Sequence, residues 1–216
     1  MSDNTAPWAG WLADAVGILD RAGLARDDWR WGGGTVLALR HGHRVSHDID
    51  IFLEDIQFLG LLSPRLNDLQ VPYRETANVV RLEYGTHEVD FIVSMQVLPD
   101  AVEDERLAVP GVAGTVRVMP DEEIIARKFH HRAAGLAARD IYDFAVVSRA
   151  APRLFETPDF LNILRIHGAT LRHALGRKGL PGEYAAIETG GYPAAPSFEA
   201  AVEALRARLD LAAGAG

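Results

Sequence analysis

The stretch from Gly32 to Phe52 reads GGGTVLALRHGHRVSHDIDIF, and it contains the most informative pattern of the chain. Gly33, Gly34 and Thr35 follow a short predicted strand that begins at Arg30, and they precede a predicted helix that begins at Val36. Backbone N–H groups in such a turn can cradle a triphosphate, and the Thr35 hydroxyl can donate to it. A tight turn without a ligand is the alternative interpretation of a glycine pair alone.

Two carboxylates, Asp48 and Asp50, lie near the end of the same stretch. Side chains two residues apart on a strand share a face, so both acids point one way while Ile49, Ile51 and Leu53 fill the opposite, apolar face. Neighbouring acids on an apolar strand are costly without compensation, and a divalent cation such as Mg²⁺ would provide it. An exposed strand face is the alternative interpretation of this pattern.

Asp90 occurs in a similar setting, the segment EVDFIV of residues 88–93. If its strand lies beside the first one, Asp90 completes a cluster of three carboxylates. Such a cluster can hold two divalent cations, one that lowers the pKa of an attacking hydroxyl and one that steadies a triphosphate. A glycine turn followed by two spaced aspartates is a more specific signal than either part.

Hydrophobic periodicity predicts an α+β fold, in which a small mixed sheet flanked by helices is followed by a helical C-terminal part. We expect a core domain over residues 1–118 and a helical region over residues 119–216. A first predicted strand begins at residue 30 and runs into the glycine turn, and the other predicted strands cover residues 45–53, 79–84, 88–93 and 114–118. The predicted helices cover residues 8–22, 58–69, 120–134, 137–150, 158–175 and 197–211. Residues 176–196, which are rich in glycine and proline, are predicted to form a loop.

Composition narrows the class of protein. The 216 residues carry a net charge of −8 and contain no cysteine, which excludes disulfides and thiolate chemistry. No apolar run of about 18 residues is present and the first residues do not resemble a signal peptide, so we expect a cytoplasmic protein without a membrane segment. Residues 117–178 are locally basic, with 11 basic and seven acidic side chains. That segment is either a docking surface for a polyanion or a solvated set of helix faces.

The stretch 32–52 resembles the first motif of the AbiEii/AbiGii nucleotidyltransferase toxins. This family includes the MenT toxins and belongs to the DNA polymerase β-like nucleotidyltransferase superfamily. The matching positions are Gly33, Gly34, Thr35, Arg44, Ser46, Asp48, Asp50 and Phe52. A second stretch, ARKFHHRAAGLAARDIYDFAVV of residues 126–147, is also similar to the family and supplies Lys128, Arg139, Asp140 and Asp143.

The resemblance implies roles for most of these positions. Asp48 and Asp50 would be metal ligands for Mg²⁺ or Mn²⁺, with Asp90 as the third carboxylate and general base. The phosphates of an NTP would contact a second set of residues: Gly33, Gly34, Thr35, Arg44, Ser46, Lys128 and Arg132. Asp140 and Asp143 would be catalytic polar residues. The alternative interpretation of Asp143 is an ordinary helix ion pair with Arg139. The alternative interpretation of Lys128 is a surface residue without a catalytic role.

The resemblance also implies the reaction and the partners. The enzyme would transfer a nucleoside monophosphate from an NTP to an acceptor hydroxyl, with RNA, in particular a tRNA 3′ end, as the acceptor. It would act as the toxin of a toxin–antitoxin pair with a cognate antitoxin protein. In some members the antitoxin phosphorylates a hydroxyl in the cleft, a role open here to Ser46 or Thr35. Transfer to an antibiotic or a protein side chain, and a non-catalytic nucleotide-binding protein, are the alternatives.

Overall fold

The computed structural model describes residues 7–63, 71–99 and 105–214, which form two compact units. The first unit comprises Met1–Val36, Ser46–Met95 and Glu103–Pro120. The second comprises Leu37–Val45, Gln96–Val102 and Asp121–Gly216. Across the described residues, none of the helices combines the length and the apolar character that crossing a bilayer requires.

A seven-stranded mixed sheet forms the first unit, in the strand order β3-β4-β5-β2-β1-β7-β6. Two neighbouring pairs, β2 with β5 and β1 with β7, are parallel, and the others are antiparallel. The strands are β1 (Trp29–Gly32), β2 (Ile49–Leu53), β3 (Tyr73–Glu75), β4 (Val79–Glu83), β5 (Glu88–Val93), β6 (Glu105–Ala108) and β7 (Thr115–Val118).

Of the helices that the structure describes, three precede the first strand or lie between strands along the chain, and the remaining ones follow the last strand. The first three are α1 (Pro7–Arg21), α2 (Gly33–His41) and α3 (Ile56–Leu61). The second unit contains α4 (Asp121–Arg132), α5 (Ala138–Ala150), α6 (Pro158–Leu175), α7 (Leu180–Ala185) and α8 (Phe198–Gly214). Short 3₁₀ turns at Ala133–Gly135 and Pro152–Phe155 join the first three of these helices. The predicted α+β fold is thereby confirmed, whereas the division after residue 118 stays a prediction.

Strand β2 shows why the sheet has one apolar face here. Ile49, Ile51 and Leu53 are buried, whereas Asp50 and Phe52 between them are half-buried. This alternation has the period of two that a strand imposes. The predicted apolar face is confirmed, and it sends Asp50 to the other side of the sheet.

Aromatic side chains fill the core of the second unit. Phe129, Phe144, Phe155 and Phe160 are all fully buried, and neighbouring ring centroids lie 4.8–6.2 Å apart. Tilted and edge-to-face pairs at this spacing add to the free energy gained by burying apolar area. This core holds α4, α5 and α6 around the charged residues described below.

Two predicted elements have different bounds in the structure. The strand predicted over residues 45–53 begins only at Ile49, because the Val45 N–H donates to Glu188 O (2.8 Å) and the Asp48 carbonyl accepts from Thr35, outside the sheet. The helix predicted over residues 58–69 begins earlier, after the N-cap Asp55, and ends at Leu61. Residues 64–69 of that prediction lie outside the described residues.

The loop predicted over residues 176–196 is wrong in part, because α7 lies inside it. The proline of α7, Pro181, is in the first turn of the helix, where the missing N–H costs no hydrogen bond. The sequence pattern also missed β3 and β6. Both are short and mainly exposed, so they lack the apolar alternation that reveals a strand.

Candidate active site

The glycine turn lies directly against Asp50. Gly32, the last residue of β1, is paired with Asp50 of β2 in the antiparallel register. Gly33 follows with a φ of 76°, and a Cβ atom placed on it would lie 1.8 Å from Asp50 Oδ2. Only glycine combines this backbone conformation with such a close approach. The structure therefore brings the predicted turn and the second aspartate together within the first unit.

Thr35 and Ser46 join the turn to the first aspartate. The Thr35 hydroxyl donates to the backbone carbonyl of Asp48 and lies 3.0 Å from Ser46 Oγ. A hydroxyl has one proton, so Ser46 is the donor in that second contact. Thr35 is buried and Ser46 is half-buried. Thr35 therefore fixes the backbone of the aspartate segment, and Gly34 lies half-buried between it and Gly33.

Asp90 lies beside Asp50, as expected for adjacent strands. The two residues are paired in the parallel register of β2 and β5, so both side chains leave the same face of the sheet. Asp48, one residue before β2, accepts a 3.3 Å hydrogen bond at Oδ1 from the N–H of Glu88. The three carboxylates thus come from two neighbouring strands at one end of β2 and β5.

Asp90 already has a cationic partner. Arg81 of β4 donates two hydrogen bonds to its carboxylate, 2.7 Å from Nε to Oδ1 and 2.6 Å from Nη2 to Oδ2. A third contact of 2.7 Å joins Arg81 Nη1 to Glu88 Oε2. Sequence reasoning missed Arg81, because nothing local links it to an aspartate on another strand. Within residues 7–63, 71–99 and 105–214, no three histidine or acidic side chains are arranged to hold a metal ion.

The second unit contains a separate, buried charge cluster around Lys128 of α4. Its Nζ lies 2.7 Å from Asp140 Oδ1 and 2.8 Å from Asp143 Oδ2, both on α5. Lys128 is 7% exposed, so its alternative interpretation as a surface residue is wrong. An ammonium and two carboxylates buried together require mutual pairing, since each alone would lose its hydration.

Asp143 is the centre of this cluster. Besides Lys128 it accepts from Arg44 Nε (2.6 Å) and Nη2 (3.0 Å), and it lies 2.7 Å from His43 Nε2. Burial by itself would raise the pKa of Asp143, but Lys128 and Arg44 outweigh burial and hold it well below its usual value. The alternative ion pair with Arg139 is not what holds this carboxylate, and Arg139 is exposed.

Asp140 serves a second purpose at the start of α5. It accepts from the backbone N–H of Ala137 (3.2 Å), the N-cap residue, while its other oxygen faces Lys128. Arg132, which is exposed, lies 3.7 Å from the same carboxylate. Burial would raise the pKa of Asp140, and the charges of Lys128 and Arg132 lower it below the usual value.

His43 is a buried member of the cluster that the motifs did not include. Its ring is fully buried and stacks on Tyr142 with centroids 5.4 Å apart, and its Nδ1 has no hydrogen-bond partner among the residues that the structure describes. The Tyr142 hydroxyl donates to the His43 carbonyl at 2.9 Å. No sequence signal identified it, because its partner Asp143 is 100 residues away.

The predicted site residues therefore form two groups, one in each unit. Seven of them lie together in the first unit, and the others belong to the charge cluster of the second. The first group is Gly33, Gly34, Thr35, Ser46, Asp48, Asp50 and Asp90 on or beside β1, α2, β2 and β5. The second group is Arg44, Lys128, Arg132, Asp140 and Asp143.

Known proteins share this architecture. The MenT4 nucleotidyltransferase toxin from Mycobacterium tuberculosis H37Rv superposes with a TM-score of 0.52 at 16% identity, covering 96% of this chain and 85% of that one. The antibiotic-resistance factor ANT(2″)-Ia superposes with a TM-score of 0.54 at 17% identity, covering 78% and 97% respectively. No curated protein matches the sequence. At these identities the likeness concerns the fold.

The fold and the family comparison define a nucleotidyltransferase. Residues 17–204 match the family described as "Nucleotidyl transferase AbiEii toxin, Type IV TA system". That match spans most of the 216 residues, and the chain belongs to this AbiEii family. The resemblance inferred from residues 32–52 and 126–147 is thereby confirmed.

Proposed function

We propose that this chain transfers a nucleoside monophosphate from an NTP to an acceptor hydroxyl of RNA, with tRNA 3′ ends as the acceptor, in a divalent metal-dependent reaction. The observation that carries the proposal is the contact between the glycine turn and the aspartates. Gly33 leaves no space for a side chain beside Asp50, and Thr35 is bonded to Asp48. A phosphate-binding turn and a carboxylate pair in contact are what nucleotidyl transfer requires.

The donor set of the first unit fits a hard divalent cation. Asp48 and Asp50 offer carboxylate oxygens, which Mg²⁺ and Mn²⁺ prefer over nitrogen or sulfur. When bound, the cation would supply positive charge to the triphosphate oxygens. Gly33 and Gly34, at the start of α2, would present backbone N–H groups to those phosphates. Asp90 is the proposed third carboxylate and general base.

Lys128, Arg44 and Arg132 are proposed nucleotide-binding residues on the family resemblance. Each is paired with Asp140 or Asp143 in the structure. We infer that these two carboxylates orient Lys128, because a buried ammonium paired with two carboxylates has few rotamers left. Asp140 and Asp143 would then act through Lys128 as positioning residues.

RNA as the acceptor is supported by the charge distribution. Residues 117–178 carry 11 basic and seven acidic side chains in a chain that is acidic overall. Exposed arginines in this segment include Arg139, Arg153 and Arg165. Arginine side chains on a surface suit phosphate contacts.

A cationic small molecule is the second candidate acceptor. Residues 1–116 contain nine basic and 18 acidic side chains, and this acidity would attract an aminoglycoside. The fold likeness to the antibiotic-resistance factor ANT(2″)-Ia is compatible with it. Modification of a protein side chain has no comparable observation in its favour.

The direct test is transfer of label from each of four α-³²P-labelled NTPs, with Mg²⁺, to total tRNA, an aminoglycoside or a protein extract. We expect tRNA to be labelled by the wild type and not by Asp50→Asn or Asp48→Asn. Asp210→Asn, at a residue whose side chain is 70% exposed, is the matched control and should label normally.

Each outcome decides between the candidates. Label on the aminoglycoside alone would support the second candidate and refute the RNA acceptor. Absence of transfer to any acceptor, combined with Mg²⁺-independent NTP binding in calorimetry, would indicate a non-catalytic nucleotide-binding protein. Transfer that survives in Asp50→Asn would contradict the proposed metal site.

Membership of a toxin family of type IV toxin–antitoxin systems implies an antitoxin partner. If that partner silences this chain by phosphorylation, the structure favours Ser46 over Thr35, since Ser46 is half-buried and Thr35 is 2% exposed. A phosphate there would add negative charge beside Asp48 and oppose nucleotide binding. Mass spectrometry of the co-expressed pair would identify the modified residue, and an unmodified, silenced toxin would exclude this mode.

A further inference from the structure

One row of side chains crosses the sheet of the first unit through the proposed metal site. The register pairs Arg74 of β3 with Arg81 of β4, Arg81 with Asp90 of β5, and Asp90 with Asp50 of β2. Directly paired residues on neighbouring strands project from the same face. Two cations and two anions therefore stand side by side on this face.

Within this row, Asp50 and Asp90 are two like charges at paired positions, which is unfavourable without a counter-charge. Asp90 is 7% exposed, so water screens it poorly. Arg81 supplies the counter-charge through two hydrogen bonds of 2.6 and 2.7 Å. A guanidinium that meets a carboxylate in this bidentate way occupies one lone pair on each oxygen.

We propose that Arg81 is an internal cation that competes with the divalent metal for Asp90. The inference rests on the proposed metal-dependent function and adds the control of its third carboxylate. While Arg81 is paired with Asp90, its charge repels a second cation from the same oxygens. Arg81 must move aside before Asp90 can coordinate a metal or accept a proton.

The surroundings of Arg81 allow that movement. Its side chain is 36% exposed, and so is the side chain of Glu88, its third contact. Glu88 gives the guanidinium a second carboxylate at 2.7 Å that can retain it after it leaves Asp90. Because Arg81 stays paired with Glu88 and Asp90 gains the metal, the shift leaves neither charge buried and unpaired.

The test is the affinity for Mn²⁺ alone, measured from the electron paramagnetic resonance signal of free Mn²⁺ without nucleotide. Removing the competitor in Arg81→Gln should tighten Mn²⁺ binding at least about fivefold. An exposed ion pair of about 1 kcal/mol implies that ratio, and the Asp90 carboxylate of this pair is mostly buried. Arg81→Lys, which keeps the charge and loses the bidentate geometry, should lie between the wild type and Arg81→Gln.

Arg74→Gln is the matched control. It removes the same charge from the neighbouring position of the row, where Arg74 pairs with Glu83 instead of an aspartate of the site. Its Mn²⁺ affinity should stay within twofold of the wild type, an effect of about 0.4 kcal/mol or less. If Arg74→Gln tightens binding as much as Arg81→Gln does, the effect is general electrostatics and the proposal fails.

A double variant shows whether the effect passes through Asp90. Asp90→Asn should bind Mn²⁺ more weakly, and adding Arg81→Gln to it should give no further gain. Equal Mn²⁺ affinity of the wild type and Arg81→Gln, with circular dichroism showing both folded, would overturn the proposal. If Asp50→Asn still abolishes transfer in that case, the proposed function stands without it. If the wild type and Arg81→Gln both fail to bind Mn²⁺ and to transfer label, this proposal and the proposed function are both refuted.

Discussion

The two buried carboxylates of the second unit, Asp140 and Asp143, contribute to stability only while they are ionised. Their cationic neighbours lower both pKa values, against the opposing effect of burial. A carboxylate whose folded pKa lies below its unfolded value stabilises the fold fully above about pH 4 and loses this contribution as the pH falls through the folded pKa. The cluster is therefore a site of acid sensitivity.

We expect the free energy of unfolding to decrease as the pH is lowered below about 4, and to decrease less steeply in Asp140→Asn. The variant lacks one of the groups that must take up a proton on acid unfolding. Urea denaturation followed by circular dichroism at a series of pH values measures both slopes. Glu203→Gln, at an exposed position of α8, is the control, and equal slopes for all three proteins would refute this account.

Gly33 is the residue on which the contact between turn and carboxylate depends. Gly33→Ala adds a Cβ that would lie 1.8 Å from Asp50 Oδ2, so Asp50 must move and nucleotidyl transfer should fall to the level of Asp50→Asn. Gly23→Ala is the matched control, because Gly23 has a similar φ of 79° and open space around it. We expect it to cost about 1–2 kcal/mol of stability from the backbone alone and to keep activity. Equal activity of both variants would contradict the close approach.

At the scale of elements, pairing across strands sets the chemistry of the first unit. The sequence indicates β2 and β5 separately, and their parallel register places Asp50 beside Asp90. The register of β4 then adds Arg81 to the same row. A shift of one residue in either pairing would send these side chains to the opposite face.

Helix α6 offers an element-scale test of local stability. The Thr157 side chain accepts a hydrogen bond of 3.3 Å from the N–H of Phe160 and caps the helix, whose buried residues include Phe160. Thr157→Ala should lower the free energy of unfolding by about 1 kcal/mol, because it leaves an N–H of the first turn without a partner. Thr157→Ser retains the cap and should be nearly neutral in urea denaturation; a loss equal to that of alanine would point to packing instead.

At the scale of the whole molecule, charge is divided unevenly along the chain. The proposal that the acceptor is RNA and not a cationic drug rests on the basic excess of residues 117–178. Its exposed arginines lie on helices of the second unit and in the turn that joins them. If RNA docks there, binding depends on these charges collectively and weakens with salt.

We expect the double variant Arg139→Glu and Arg153→Glu to raise the KM for tRNA about tenfold or more, as the loss of two phosphate contacts and added repulsion require. The kcat should change little, since neither residue is part of the proposed site. Steady-state labelling at several tRNA concentrations measures both constants. Arg106→Glu, on β6 of the first unit, is the charge-matched control, and an equal effect there would argue against a localised docking surface.

Features that arise from neighbouring residues could be predicted from the sequence. The glycine turn at Gly33, the alternation around Asp50 and the periodicity of α6 are local signals, because backbone conformation and side-chain direction repeat over a few residues. The family resemblance also depended on two such local stretches. Short exposed strands such as β3 gave no signal, since their side chains are not selected for burial.

Which charged groups contact each other depends on the packing of elements that are distant in sequence. Arg81 faces Asp90 because β4 and β5 pair in one register, and His43 and Arg44 reach Asp143 from about 100 residues away along the chain. These contacts depend on how strands and helices pack, and packing is set by the burial of the whole apolar surface instead of by any one segment. For that reason the sequence supplied the carboxylates of the site, and the fold supplied their partners.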